Sequence, residues 1–183
     1  MFFEKVSKEE WARFWNNIMP TNTLSSSNKS ALEFYMSCYD KIRLPEFKGG
    51  FHEIYTPVPF TLNPGYEIIV PTGIRVAFNQ KDDRVNYAVL FPMKTLAMEY
   101  KFRLINQFEI INLEYNSHIE GHIILKLENG MDLTGVPLVV KKDIRKANNA
   151  LVPDMESPEY LKRVMTANIG TPILNGVFLQ GIQ

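Results

Sequence analysis

The stretch KIRLPEFKGGFHEIYTPVPFTLNPGYEIIVPTGIRV, residues 41–76, decides the fold class. Pro45, Pro57, Pro59, Pro64 and Pro71 cut it into short apolar runs, as expected of short strands joined by tight turns. Asn63-Pro64-Gly65 is a turn signal, and Ile68, Ile69 and Val70 follow it as a β-rich run. Moving outward, Pro92 punctuates a further run, Ile110-Ile111 and Ile123-Ile124-Leu125 have the same character, and Glu128-Asn129-Gly130 closes the last with a turn. Many short strands at regular spacing predict a mainly β sandwich, jelly roll or barrel. Strand character resumes over 172–179.

On the N-terminal side, residues 7–18 predict a helix. Ser7 and Glu10 form an S-x-x-E capping box, and Trp11, Phe14, Trp15 and Ile18 fall on one helical face. That stripe reads first as docking onto the main domain, with a protein partner as the alternative. Met19-Pro20 ends the helix, because a residue before proline is pushed from helical geometry. TNTLSSSN (21–28) reads as a polar linker, and 29–39 as a second short helix with Ala31, Leu32, Tyr35 and Met36 along one side. The expected division is thus a helical extension over 1–40 and a β domain over 41–183. Within the latter, an insertion at about 141–167 reads as helical: KKDIRKANNA is helix-compatible and basic, and Ser157-Pro158-Glu159 makes a compact helix start.

Composition narrows the class. At 183 residues the chain is long enough for one domain with its own core. Twenty basic and twenty acidic residues cancel, so no net field draws it to nucleic acid or an anionic membrane. Cys38 is the sole cysteine, which excludes an intrachain disulfide and favours a reducing compartment. MFFEKVSKEEWARFW carries charges throughout and reads as neither signal peptide nor anchor, and the expected location is cytoplasmic.

Residues 41–76 and 90–129 together resemble phage-type dUTP diphosphatases (dUTPases). The family's five motifs imply a jelly-roll or β-clip subunit that forms a homotrimer with active sites between subunits. The first motif, A-G-F-D-L-Y, aligns with Gly50 to Tyr55: its acid becomes Glu53 and the glycine at its second position Phe51. The second, P-R-S-S-L, becomes Pro92-Met93-Lys94-Thr95-Leu96, so Met93 stands for a phosphate-gripping arginine. Lys94 offers a point charge one residue on, which strand alternation would turn to the other face. The third, N-x-x-G-x-I-D-S-D-Y, aligns Asn106, Glu109, Asn112 and Tyr115, then Glu120-Gly121-His122-Ile123 with a phage-type E-G-H-I. Asn112 takes the place of the aspartate that activates water, Tyr115 that of the tyrosine packing on the sugar, and Glu109 that of a glycine in the base-reading hairpin. The fourth, G-x-x-x-x-Q-G, is approximated by 170–176, with Asn175 for a phosphate-contacting glutamine, and the fifth finds no counterpart before Gln183.

An amide cannot serve as general base, a role worth about 10²–10⁴-fold. The resemblance therefore implies a catalytically inactive relative that binds a nucleotide through Glu53, Lys94, Asn106, Asn112, Tyr115 and Asn175. If phage-encoded, it would sequester a nucleotide in the host cytoplasm, including a signalling nucleotide of host defence. No cofactor is expected, although Mg2+ would accompany a bound triphosphate. The alternatives are an active diphosphatase using Glu53 or Glu114, a protein-interaction module with Phe51, Met93 and Glu109 closing the pocket, and a structural component of a particle. His118, Glu120 and His122 read as turn and strand residues before they read as metal ligands, and His52 as structural. Lys141, Lys142, Arg145 and Lys146 read as a solvated basic face, with phosphate contact as the alternative because the cluster lies in the insertion next to the fourth motif.

Overall fold

The computed structural model describes residues 2–19, 26–77, 86–105, 109–112, 123–143 and 148–180; side chains are described for most of these, though not for 2, 26–28, 77, 86–87, 109–112, 142–143, 148–149 or 178–180. Antiparallel strands dominate, with two helices near the N-terminus, in the jelly-roll or β-clip class expected. The central unit is a five-stranded sheet in the order β2 (Glu46–Lys48), β3 (Phe51–Tyr55), β14 (Pro172–Gln180), β7 (Asn86–Pro92) and β9 (Glu109–Asn112). A three-stranded sheet orders β5 (Glu67–Pro71), β10 (Ile124–Asn129) and β8 (Phe102–Leu104). Two-stranded pairs join β4 (Phe60–Leu62) to β13 (Met165–Ala167) and β1 (Phe2–Lys5) to β6 (Ile74–Ala77).

Alternation places the core. Ile54, Leu90 and Leu174 are fully buried on one face of the five-stranded sheet, and Val70, Leu125 and Leu127 are fully buried in the other. Gly176 belongs to that inner face: a Cβ there would lie 3.1 Å from Leu90 Cδ2 and 3.6 Å from Ile54 Cδ1, so the bare backbone lets both side chains close over it. Asn129 is a buried amide with every group used. Its Nδ2 donates to the Leu62 and Arg163 carbonyls at 3.0 and 2.7 Å, and its Oδ1 accepts from Met131 N. It ties β4, β10 and the turn after α4 (Pro158–Leu161) into one body.

Helix α1 (Lys8–Ile18) starts as its sequence predicts, with the Ser7 side chain accepting from Glu10 N at 3.1 Å. Trp11 and Trp15 are buried and join the main core cluster, while Ile18 stays 47% exposed. Trp15 stacks on Tyr35 of α2 (Ser26–Ser37) at 4.4 Å, and Trp11 Nε1 donates to the Tyr35 carbonyl. The two tryptophans of the stripe are thus spent inside the molecule. β1 had no counterpart in the sequence reading; it pairs with β6 and, with the Val6 N–H bonded to the Gly73 carbonyl, holds the helical segment to the sheets.

Three expectations need correction. α2 begins at Ser26, so the last residues of the supposed linker are already helical. The segment after Pro92 is a helix, α3 (Lys94–Tyr100), where a strand was expected. Proline ends β7, and Leu96, Ala97, Met98 and Glu99 are good helix formers. The described ends of the KKDIRKANNA stretch lie in strands, with β11 (Leu138–Asp143) paired antiparallel to β12 (Asn148–Pro153). Valines and leucines around it favour strand over the helical reading drawn from its charges. The helix of the 141–167 segment is α4, capped by Ser157 with Pro158 in its first turn, as its sequence predicts. Among the described residues no helix is long and apolar enough to cross a membrane.

Candidate functional site

The sheet register brings two predicted site residues together. Asn175 on β14 lies directly opposite Glu53 on β3, and the same row continues to Glu46 on β2 and Phe91 on β7. Cross-strand partners share a face, and this row lies on the face opposite Ile54 and Leu174. The hairpin that delivers Glu53 turns through Gly49 and Gly50, both at positive φ (58° and 92°), a two-residue turn that needs such residues. Phe51, replacing a family glycine in the resemblance, is 40% exposed and meets Phe91 edge-on at 5.5 Å. An aromatic patch therefore borders the polar row.

Glu53 is fully engaged on one oxygen. Its Oε2 accepts from Lys48 Nζ at 3.0 Å and from Tyr55 OH at 2.9 Å, with the side chain 20% exposed. Lys48 also contacts Glu46 at 3.1 Å, and Glu46 pairs with Arg43. The Arg43 guanidinium sits 4.1 Å above the ring of Tyr55, whose body is buried. Lys48, then Tyr55, hold the Glu53 carboxyl below its ordinary range, while Glu53 first and Glu46 second raise the Lys48 ammonium. Burial first, and donation to Glu53 second, raise the Tyr55 phenol. A carboxylate so stabilised is a weak proton acceptor. Among the described residues no group of three or more His, Cys, Asp or Glu could hold a metal.

The other predicted residues are distributed differently. Lys94 opens α3, two residues beyond Pro92; it is exposed and makes no ion pair among the described residues. Met93 occupies the N-cap position without a side-chain cap, and its N–H bonds to the Ile173 carbonyl at 3.1 Å. Asn112 pairs with Tyr87 at the far end of β7. That register lies four positions from the Glu53–Asn175 row and two strands from β14, about 13 Å along the strands and about 10 Å across them. Glu53, Asn175 and Lys94 thus gather at one end of the sheet and Asn112 at the other. Asn106, Glu114, Tyr115, His118, Glu120, His122, Arg145 and Lys146 lie outside the described residues. His52 faces the rings of Phe3 and Phe47, at 5.4 and 5.1 Å, in keeping with a structural role. Sequence reading missed Lys48, Tyr55 and Arg43 as a network, although the i, i+2 spacing of Glu53 and Tyr55 on a strand puts both on one face.

With this geometry in view, comparison with solved structures is informative. The chain superposes on the dUTPase from Streptococcus mutans with a TM-score of 0.53 at 15% identity, covering 100% of this chain and 98% of that one. It superposes on the dUTPase from phage phi11 of S. aureus with a TM-score of 0.53 at 13% identity, covering 79% and 86%. For the dUTPase of Staphylococcus bacteriophage 80alpha the values are 0.53, 12%, 78% and 86%. No family description and no curated protein sequence matches the chain. Likeness at this identity establishes a shared fold: the molecule is built as the bacterial and phage dUTPases are.

Proposed function

We propose that the protein binds a nucleotide on a dUTPase fold without hydrolysing it. The observation that supports this reading most is the state of Glu53, the acid of the first motif-like segment, whose oxygen is held by Lys48 and Tyr55. With an amide at Asn112 in the place of the water-activating carboxylate, neither position supplies a general base. Asn175 beside Glu53, and Lys94 at the same end of the sheet, supply polar contacts that need no turnover. The separation of this group from Asn112 suits a site completed by another copy of the chain, as in a homo-oligomer, and a cytoplasmic nucleotide pool is the matching source of ligand. Sequestering a signalling nucleotide of host defence is one use of such a site.

Calorimetry against dUTP, dUMP, dTTP and cyclic or ADP-ribose-type nucleotides is expected to give saturable heat with at least one of them. Pyrophosphate release from dUTP with Mg2+ is expected to stay at background. Turnover near the ordinary enzymatic range of about 1–10³ s⁻¹ would overturn the reading, and its loss in Glu53→Ala or Glu114→Ala would restore an active diphosphatase.

A second reading, a protein-interaction module, is favoured by the β11–β12 hairpin. Leu138, Val140 and Leu151 are 58%, 63% and 67% exposed there, on one face by register. Phage dUTPases, that of 80alpha among them, control transfer of virulence genes by a proto-oncogenic G protein-like mechanism, which gives a regulatory role a precedent on this fold. Undiminished nucleotide binding in Leu151→Lys, with loss of a captured partner, separates the two readings.

A further inference from the structure

Resting on the nucleotide-binding reading, we infer that the site selects a ligand with at most one phosphate, held mainly through its base and sugar. The face around Asn175 offers two kinds of contact. One is the Phe51–Phe91 pair, whose rings stand 87° apart at 5.5 Å and leave Phe51 exposed for an apolar or aromatic partner. The other is the Asn175 side chain, half-buried and without a hydrogen bond to any described residue, which can donate and accept toward a base edge or a sugar hydroxyl.

Charge is what a triphosphate needs, and here the cations are taken. Arg43 is paired with Glu46, and Lys48 lies 3.1 Å from Glu46 and 3.0 Å from Glu53. Two cations and two carboxylates sum to zero. Drawing Lys48 onto a phosphate would leave Glu53 unpaired beside a second anion, so the exchange gains little. Lys94 is the described cation at this end of the sheet that no carboxylate holds, and as a compact point charge it matches a single phosphate. Each further phosphate would add negative charge where, among the described residues of this face, the remaining cations are already neutralised.

The test compares deoxyuridine, dUMP and dUTP by calorimetry on the full chain without added metal, and repeats the series with thymidine and deoxyadenosine because base preference is a separate question. The expected result is tighter binding of the monophosphate than the nucleoside, then dUMP and dUTP within about threefold of each other. A triphosphate tighter than its monophosphate by more than about threefold overturns this inference and leaves nucleotide binding standing. Absence of heat in all three series, and with cyclic and ADP-ribose-type nucleotides as well, from folded protein removes the binding reading and this inference with it. Glu46→Gln, at an exposed position, releases both Arg43 and Lys48 from one carboxylate and is expected to raise the preference for dUTP over dUMP severalfold. An unchanged ratio, with the circular dichroism spectrum of the parent, overturns the charge argument.

Discussion

The inner and outer faces of the five-stranded sheet are made by alternate residues of the same strands, yet different forces hold them. On the inner face Ile54, Leu90 and Leu174 are fully buried, and Gly176 is kept bare so that two of them can meet over it. On the outer face Glu53 and Asn175 stand opposite one another, with Lys48, Tyr55 and an exposed phenyl ring alongside. Burial of apolar surface is insensitive to pH and salt, whereas exposed ion pairs are weak and screened. The comparison teaches that the inner face fixes the fold and the outer face is free to carry recognition. It also fits a fold shared with solved dUTPases at only 12–15% identity.

The largest effect expected comes from opening the inner face. Leu174→Ala removes a fully buried side chain opposite Ile54 and should cost about 2–5 kcal/mol, read from urea midpoints. A loss under about 1 kcal/mol would mean that this face can collapse around the gap, and the contrast between the faces would weaken. Gly176→Ala tests the same face by overfilling it. The new methyl meets Leu90 Cδ2 at 3.1 Å, and overpacking of this kind costs about 1–3 kcal/mol. A neutral result would show that the Leu90 side chain can step aside, and the bare backbone at Gly176 would then need another reason.

The inner face was the legible one. Proline-punctuated apolar runs and the Ser157-Pro158 start carry local signals that the structure follows, and of the two readings of the Trp11–Trp15 stripe it follows the first, docking. Where two readings competed, charge misled: Lys141 and Lys142 suggested a solvated helix, but the adjacent Leu138, Val139 and Val140 set a hairpin. At Lys94 the β context of Pro92 predicts strand alternation, but the helix formers Leu96, Ala97, Met98 and Glu99 prevail. The outer face was legible only as single residues. Opposing Glu53 to Asn175 depends on a register between segments about 120 positions apart, which no local pattern encodes. Phe2–Lys5 was illegible for the same reason, since its partner strand lies 70 residues on.

The smallest effect expected belongs to the outer face and sharpens the comparison most. Glu53→Gln keeps the shape and the hydrogen-bond acceptor while removing the charge. Because the carboxyl is held below its ordinary value in the folded chain, it contributes stability above the unfolded value of about 4.3 and loses it as pH falls through the folded value. The Lys48 ammonium is raised, so its share is present below about 10.4 and is lost only as pH rises past the folded value. The melting-temperature gap between parent and Glu53→Gln should therefore be open from about pH 5 to 9, close below about pH 4 and narrow in high salt. Its size is small because solvent screens the pair. A gap that is the same at pH 3 and pH 8 would mean that Glu53 acts through shape alone. Lys48 would then be free to meet a phosphate, and the case for a ligand of low charge would lose its footing while the buried face stood unaffected.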